Sequence, residues 1–231
     1  MLRRPLETTT QSGHSSVLPY ADDRRTILGA DGQQRVREHF GRIWEEPMFD
    51  LDQFVADCRD ALAVDKSHKL VREVVCRAVA DPSGVLKALG EPTRGAIKTL
   101  YRSDNLTILN VIWAPYMTLT PHNHNMWAVI GIYTGREDNI FWRRLPGSHT
   151  RLEAAGAKAL SQRDAEPLGR DIIHSVTNPI PRLTGAIHVY GGDFFAAERS
   201  EWDSETLEEQ RWDAERAVRR FEEANRTMVS S

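Results

Sequence analysis

The chain has too few cysteines for a disulfide framework. Cys58 and Cys76 are its only 2 in 231 residues, and both fall where the spacing is helical. They read as buried structural thiols in a reduced cytoplasm, with no catalytic part expected. An excess of basic charge is also missing: 30 Lys and Arg stand against 33 Asp and Glu, for a net charge of -3. That leaves no electrostatic footprint for nucleic acid, and none is expected as a partner. No apolar stretch approaches membrane-spanning length, and the polar residues after Met1-Leu-Arg-Arg-Pro5 exclude a signal-peptide core, so no membrane partner is expected either. Internal repeats and low-complexity tracts are absent. With 40% apolar residues, a chain of this length can bury a self-sufficient core, as one generous domain or as a barrel with helical additions.

What stands out against this ordinary background is His122-Asn123-His124, followed fifty residues later by His174. Side chains two apart on a strand share a face, so His122 and His124 can reach one point. Convergent histidines without helix period, and without a serine or cysteine nucleophile beside them, point to a metal ion. The surrounding sequence supplies strands. Thr120-Pro121 precedes the first histidine, and the apolar run from Trp127 to Tyr133 ends at Thr134-Gly135. Glu166-Pro-Leu-Gly169 reads as a turn, Asp171 to Asn178 as a strand closed by Pro179-Ile-Pro181, and Ala186-Ile-His188-Val-Tyr190 as a strand ending at Gly191-Gly192. Such strands suit a small antiparallel barrel with a metal in its mouth.

These motifs resemble the cupin superfamily, and within it the cysteine dioxygenase-like thiol dioxygenases. The first cupin motif, His-x-His, then glutamate, then glycine, matches His122, His124, Ala128 and Gly135; the second, histidine followed four residues on by asparagine, matches His174 and Asn178. Alanine at 128 replaces the glutamate, as in thiol dioxygenases, which use three histidines. Ala186-Ile-His188-Val-Tyr190 is similar to their Ser-x-His-x-Tyr motif, without the serine hydroxyl. Tyr101-Arg102 lies where cysteine dioxygenases carry Tyr-x-Arg, with the spacing shortened by one residue. The resemblance covers roughly residues 96–200. It implies a mainly β chain: a cupin double-stranded β-helix, a jelly-roll-like barrel, preceded by N-terminal helices and followed by a C-terminal helix. It further implies Fe(II) on His122, His124 and His174, no organic cofactor, Tyr190 and His188 as catalytic residues, and Arg102, with Arg182 as a rival, gripping a substrate carboxylate. Trp127 is the candidate pocket wall. The cysteine–tyrosine cross-link of some members is not expected, because both cysteines precede the barrel.

Three neutral imidazoles leave a divalent ion its full charge, which favours an anionic ligand such as a thiolate. The expected reaction joins a small thiol, cysteine, 3-mercaptopropionate or a relative, with O2 to give the sulfinate. Two alternatives stay open on the residues alone. Three histidines and a water also make a hydrolytic zinc site, and a non-catalytic cupin could bind a small molecule.

Along the chain, residues 1–31 read as a flexible arm and 32–95 as a helical segment. Val36, Phe40, Ile43 and Trp44 mark one helix face ended by Pro47. Asp50 caps a helix burying Leu51, Phe54, Val55, Cys58 and Leu62; Ser67 opens one burying Leu70, Val74 and Ala78; Gly84 to Leu89 is a short third. Residues 96–200 form the barrel, with strands at Leu106–Trp113, Thr118–His124, Trp127–Tyr133 and Asn139–Arg144. Residues 201–231 hold a C-terminal helix capped by Ser204, with Leu207, Ala214, Val218 and Phe221 on its apolar face. Glu137 reads as a solvated turn or a structural salt bridge, and His14, His39, His68 and His149 as non-ligands.

Overall fold

The structure, a computed structural model, describes residues 48–148 and 151–229. The expected N-terminal arm, the helix face of Val36 to Trp44, and His14, His39 and His149 lie outside the described residues.

Among the described residues three helices come first, and their termini follow from side-chain capping. Asp50 accepts the backbone N–H of Gln53 at 2.8 Å and opens α1 (Leu51–Val64). Ser67 accepts that of Lys69 and opens α2 (His68–Ala80). Asp81 accepts that of Gly84, with Pro82 in the first turn of α3 (Pro82–Leu89), where its missing N–H costs nothing. The buried stripe of α2 is Val71, Val74, Val75, Ala78 and Val79. Leu70, expected inside, is exposed, because the stripe is rotated by one position.

Eleven strands follow: β1 (Ala96–Arg102), β2 (Thr107–Trp113), β3 (Thr118–Asn123), β4 (Ala128–Thr134), β5 (Arg136–Arg144), β6 (Leu152–Ser161), β7 (Ala165–Leu168), β8 (Ile173–Thr177), β9 (Thr184–Tyr190), β10 (Ser200–Trp202) and β11 (Glu209–Arg211). They form two antiparallel sheets, ordered β1-β2-β9-β4-β7 and β11-β10-β3-β8-β5-β6. From β2 to β5, and again from β6 to β10, each successive strand changes sheet. That alternation is the winding of a double-stranded β-helix, the mainly β fold expected from the sequence, with helices before it and one after. The expected turn from Glu166 to Gly169 is instead mostly strand: residues 166–168 belong to β7, which extends the first sheet beside β4.

The three central strands of the first sheet, β2, β9 and β4, bury both faces. Ile108, Val129, Ile187 and Val189 lie with α1 to α3 in one apolar cluster, and Leu109, Ile130, Ala186 and Tyr190 belong to the cluster inside the barrel. Gly135, at the β4–β5 turn, has φ 83, and a Cβ there would lie 2.2 Å from Thr184 Oγ1. Asn178, the other motif residue outside the metal set, is structural. Its amide donates to the carbonyls of Trp113, Ala114 and Arg182 and fastens the β8–β9 connection to the end of β2.

The last helix starts later than its sequence predicts. Asp203 spends its carboxylate on the backbone N–H groups of Glu205 and Thr206, closing the β10–β11 hairpin. Asp213 then takes those of Glu215 and Arg216 and opens α4 (Ala214–Val229). With that phase Ala217 and Phe221 point inward while Val218 is exposed. Among the described residues, no helix is long and apolar enough to cross a membrane.

Candidate metal centre

The metal candidates come from two neighbouring strands of the second sheet. His122 on β3 is directly opposite His174 on β8. Between Leu119 and His122 the register shifts, so a bulge takes up Pro121, which could not donate to a regular ladder. His124 follows just past the strand, before Asn125 at φ 55. The alternation and this bend bring the three imidazoles together, each with a ring nitrogen within 4.8 Å of the others, all buried. The Nε2 atoms of His124 and His174 are 3.3 Å apart.

The spacing of these nitrogens suits an ion. Two nitrogens held about 2.1 Å from one ion at right angles would be about 3.0 Å apart, close to the observed pair. His122 Nδ1 faces the Thr120 carbonyl at 2.9 Å, and His174 Nδ1 faces Asn139 Oδ1 at 2.7 Å. Both acceptors require a proton on Nδ1, which leaves each Nε2 a lone pair. Burial lowers His122 to about 3, and pushes His124 and His174 well below the usual histidine range. Buried imidazoles whose ring nitrogens converge on one point fit a cation, which would take the place of the His124–His174 hydrogen bond. Among the described residues, no carboxylate joins the cluster. Ala128 is buried on β4 directly opposite Tyr190.

The chamber around the histidines holds about 30 Å³ and is lined by residues including Trp113, Tyr190, Phe194 and Trp212. That is room for an ion and one or two small ligands, not for a whole substrate. Tyr190 lies with its ring 5.0 Å from that of His124 and its hydroxyl 3.0 Å from His188 Nδ1. Burial raises its pKa, so the phenol stays protonated. His188 and Tyr190 therefore stand together at the metal cluster, where the sequence places them.

Arg102 and Trp127 do not line this chamber. Arg102 is at the surface end of β1, in a two-pronged pair with Asp193 at 2.9 and 2.8 Å, its guanidinium 5.0 Å over Phe195. Trp127 precedes the inward Ala128, so alternation turns it outward. Its indole donates to the Lys66 carbonyl at 3.0 Å and packs with the helix-side cluster. The side chain of Arg182 is exposed.

A buried cation that the sequence did not single out, Arg199, packs on two of the rings that line the chamber. Only 8% exposed, it lies between the rings of Phe194, at 3.8 Å, and Trp212, at 4.2 Å. Its Nη1 has no hydrogen-bond partner, and burial lowers its pKa to about 10, so it remains charged near neutrality. The same residue borders an outer cleft of about 460 Å³ with Asn125, Glu198 and Arg211. Arg199 thus borders the cleft and packs on Phe194 and Trp212, whose rings line the chamber. No sequence signal marks it, because its position depends on the connection between β9 and β10.

Glu137 is a second correction. Of its two expected settings the solvated turn is overturned: it is fully buried inside the barrel, 3.4 Å from His188 Nε2, because β5 begins at Arg136 and its alternate residues Glu137 and Asn139 face inward. A strand started two residues earlier in the sequence reading would have revealed it. α4 closes this end: Phe221 stacks on Trp113 at 5.4 Å, and Arg216 and Arg220 bond Glu201 and Thr120. A larger cleft of about 630 Å³ beside α1, lined by Arg59, Lys66 and Tyr101, shares no residue with the histidine chamber.

No family model matches the chain. Its neighbours among solved structures include cupin proteins at low identity. A cupin family protein with a double-stranded β-helix fold from Methanocaldococcus jannaschii is 8% identical over 46% of this chain and 87% of its own, at TM-score 0.38. A protein with a double-stranded β-helix domain from Klebsiella pneumoniae is 11% identical over 45% and 83%, at 0.35. The DMSP lyase DddQ from Ruegeria pomeroyi is 19% identical over 45% and 50%, at 0.36.

Proposed function

We propose that this protein is an iron-dependent thiol dioxygenase that oxidises a small thiol bearing a carboxylate, cysteine, 3-mercaptopropionate or a relative, to its sulfinate. The observation that carries this reading is the donor set: three buried neutral imidazoles with no carboxylate among them. An ion held there keeps its full charge and favours a thiolate in an open position. Bound by His122, His124 and His174, Fe(II) would supply thiolate binding and dioxygen activation. The stoichiometry closes without an outside reductant. The thiol proton leaves, the O–O bond breaks, two S–O bonds form, and the electrons that reduce oxygen come from sulfur.

The chain's own groups bind and orient. Arg199 offers its unpaired Nη1 to a substrate carboxylate arriving from the outer cleft. Tyr190 puts a phenol oxygen beside the metal ligands, and His188 holds that phenol in place. Phe194 and Trp212 keep the chamber apolar around them. A zinc hydrolase on the same histidines has no evident use for the His188–Tyr190 pair.

Oxygen uptake by the iron-loaded protein with cysteine, 3-mercaptopropionate and cysteamine tests the reading. Uptake with a carboxylated thiol, and less with cysteamine, supports it. No oxygen consumption with any of the three would overturn it.

A further inference from the structure

Glu137 is a fully buried carboxylate that the chemistry above does not use. Its Oε2 accepts the Trp113 indole N–H at 2.7 Å, and its Oε1 accepts from Asn139 Nδ2 at 3.0 Å. His188 Nε2, buried and without a hydrogen bond, lies 3.4 Å from Oε2. Two of these neighbours lead to the metal chamber. Asn139 reaches His174 through its Oδ1, and His188 reaches Tyr190 through its Nδ1.

The indole N–H of Trp113 and the NH2 of Asn139 make this carboxylate an acceptor at both oxygens, and a further group facing it has to donate. Asn139 therefore turns its NH2 to Glu137 and its carbonyl oxygen to His174. That fixes the His174 proton on Nδ1 and leaves the Nε2 lone pair toward His124. By the same rule His188 carries its proton on Nε2. With its one proton there, the ring would accept the Tyr190 hydroxyl hydrogen at Nδ1, and the phenol oxygen would face the chamber as an acceptor. A glutamine could not replace this carboxylate, since one end of an amide donates and would oppose Trp113, Asn139 or His188.

We propose that Glu137 is a positioning residue that sets the tautomers of His174 and His188 together, and through them the metal lone pair and the direction of the Tyr190 hydroxyl. Such partners of metal ligands typically contribute about 10–100-fold in metal affinity.

The inference rests on reading the three histidines as a metal centre with Tyr190 beside it, yet its test needs neither thiol nor oxygen. Long-range proton–nitrogen NMR of isotope-labelled histidines, in metal-free and zinc-loaded protein, reports which ring nitrogen carries each proton. In the wild type His188 is expected protonated on Nε2 and His174 on Nδ1. In E137Q both are expected to lose that single state, with zinc affinity down about tenfold or more, and E137D to recover the tautomers. A wild-type His188 protonated on Nδ1 would overturn the proposal even if E137Q failed to fold. So would a folded E137Q with both tautomers unchanged. A wild type that bound no metal would instead end the metal reading, with the His188 tautomer still measurable.

Discussion

The two faces of one sheet behave as different materials. On the outer face of the first sheet, Ile108, Val129, Ile187 and Val189 meet the helices in a cluster whose one notable internal polar pair is Tyr133 to Asn110, at 2.8 Å. On the inner face of the same strands, Ile130 and Leu109 flank His188 from β4 and β2, and Tyr190 looks across to the histidines of the second sheet. The period of two lets β9 serve both: Ile187 and Val189 hold the fold, while His188 and Tyr190 reach the chemistry. Damage to one face should therefore spare the other.

The largest effect is expected on the inner side. His174→Ala should abolish tight iron binding and activity together while thermal unfolding shifts little, which metal analysis beside a melting curve would check. The mirror case is Ile187→Ala. It should cost about 2–5 kcal/mol in denaturant unfolding and leave metal stoichiometry intact; equal damage to both would break the division of faces. Arg199→Met should raise KM for carboxylated thiols by about 10–100-fold, the loss of a charge-assisted hydrogen bond, with little change for cysteamine. Tyr190→Phe is expected to retain iron and lose rate by about tenfold, and an unchanged rate would remove Tyr190 from the chemistry. The smallest effect belongs to the helix layer. Burial raises the Cys58 thiol to about 12, so it should resist alkylation of the folded protein at pH 8, while the half-buried Cys76 is the more accessible thiol.

How much of this was legible in the sequence follows the same division. His122, His124, His174, His188 and Tyr190 could be found because strand alternation and the short spacings fix their directions, and Asp50 and Ser67 because a cap acts over three residues. Trp127 was misplaced by a single step of alternation: once Ala128 points inward, its neighbour must meet the helices. Glu137 was hidden by the start of β5, and Arg199 by contacts that only the closed barrel makes, with Phe194 on one side and Trp212 from the far side of a hairpin on the other. Arg102 had a suitable charge and an approximate position, but Asp193 already pairs with it at the surface. Local spacing thus named the histidines of the candidate metal centre, while the groups packed around the chamber arise from contacts between distant segments.

The measurement that bears most directly on the account is the fate of labelled oxygen. Iron-loaded protein turning over 3-mercaptopropionate or cysteine under isotopically labelled dioxygen should give a sulfinate in which both oxygen atoms carry the label. Product oxygen drawn from water, or no sulfinate at all, would contradict thiol dioxygenation at the three-histidine centre.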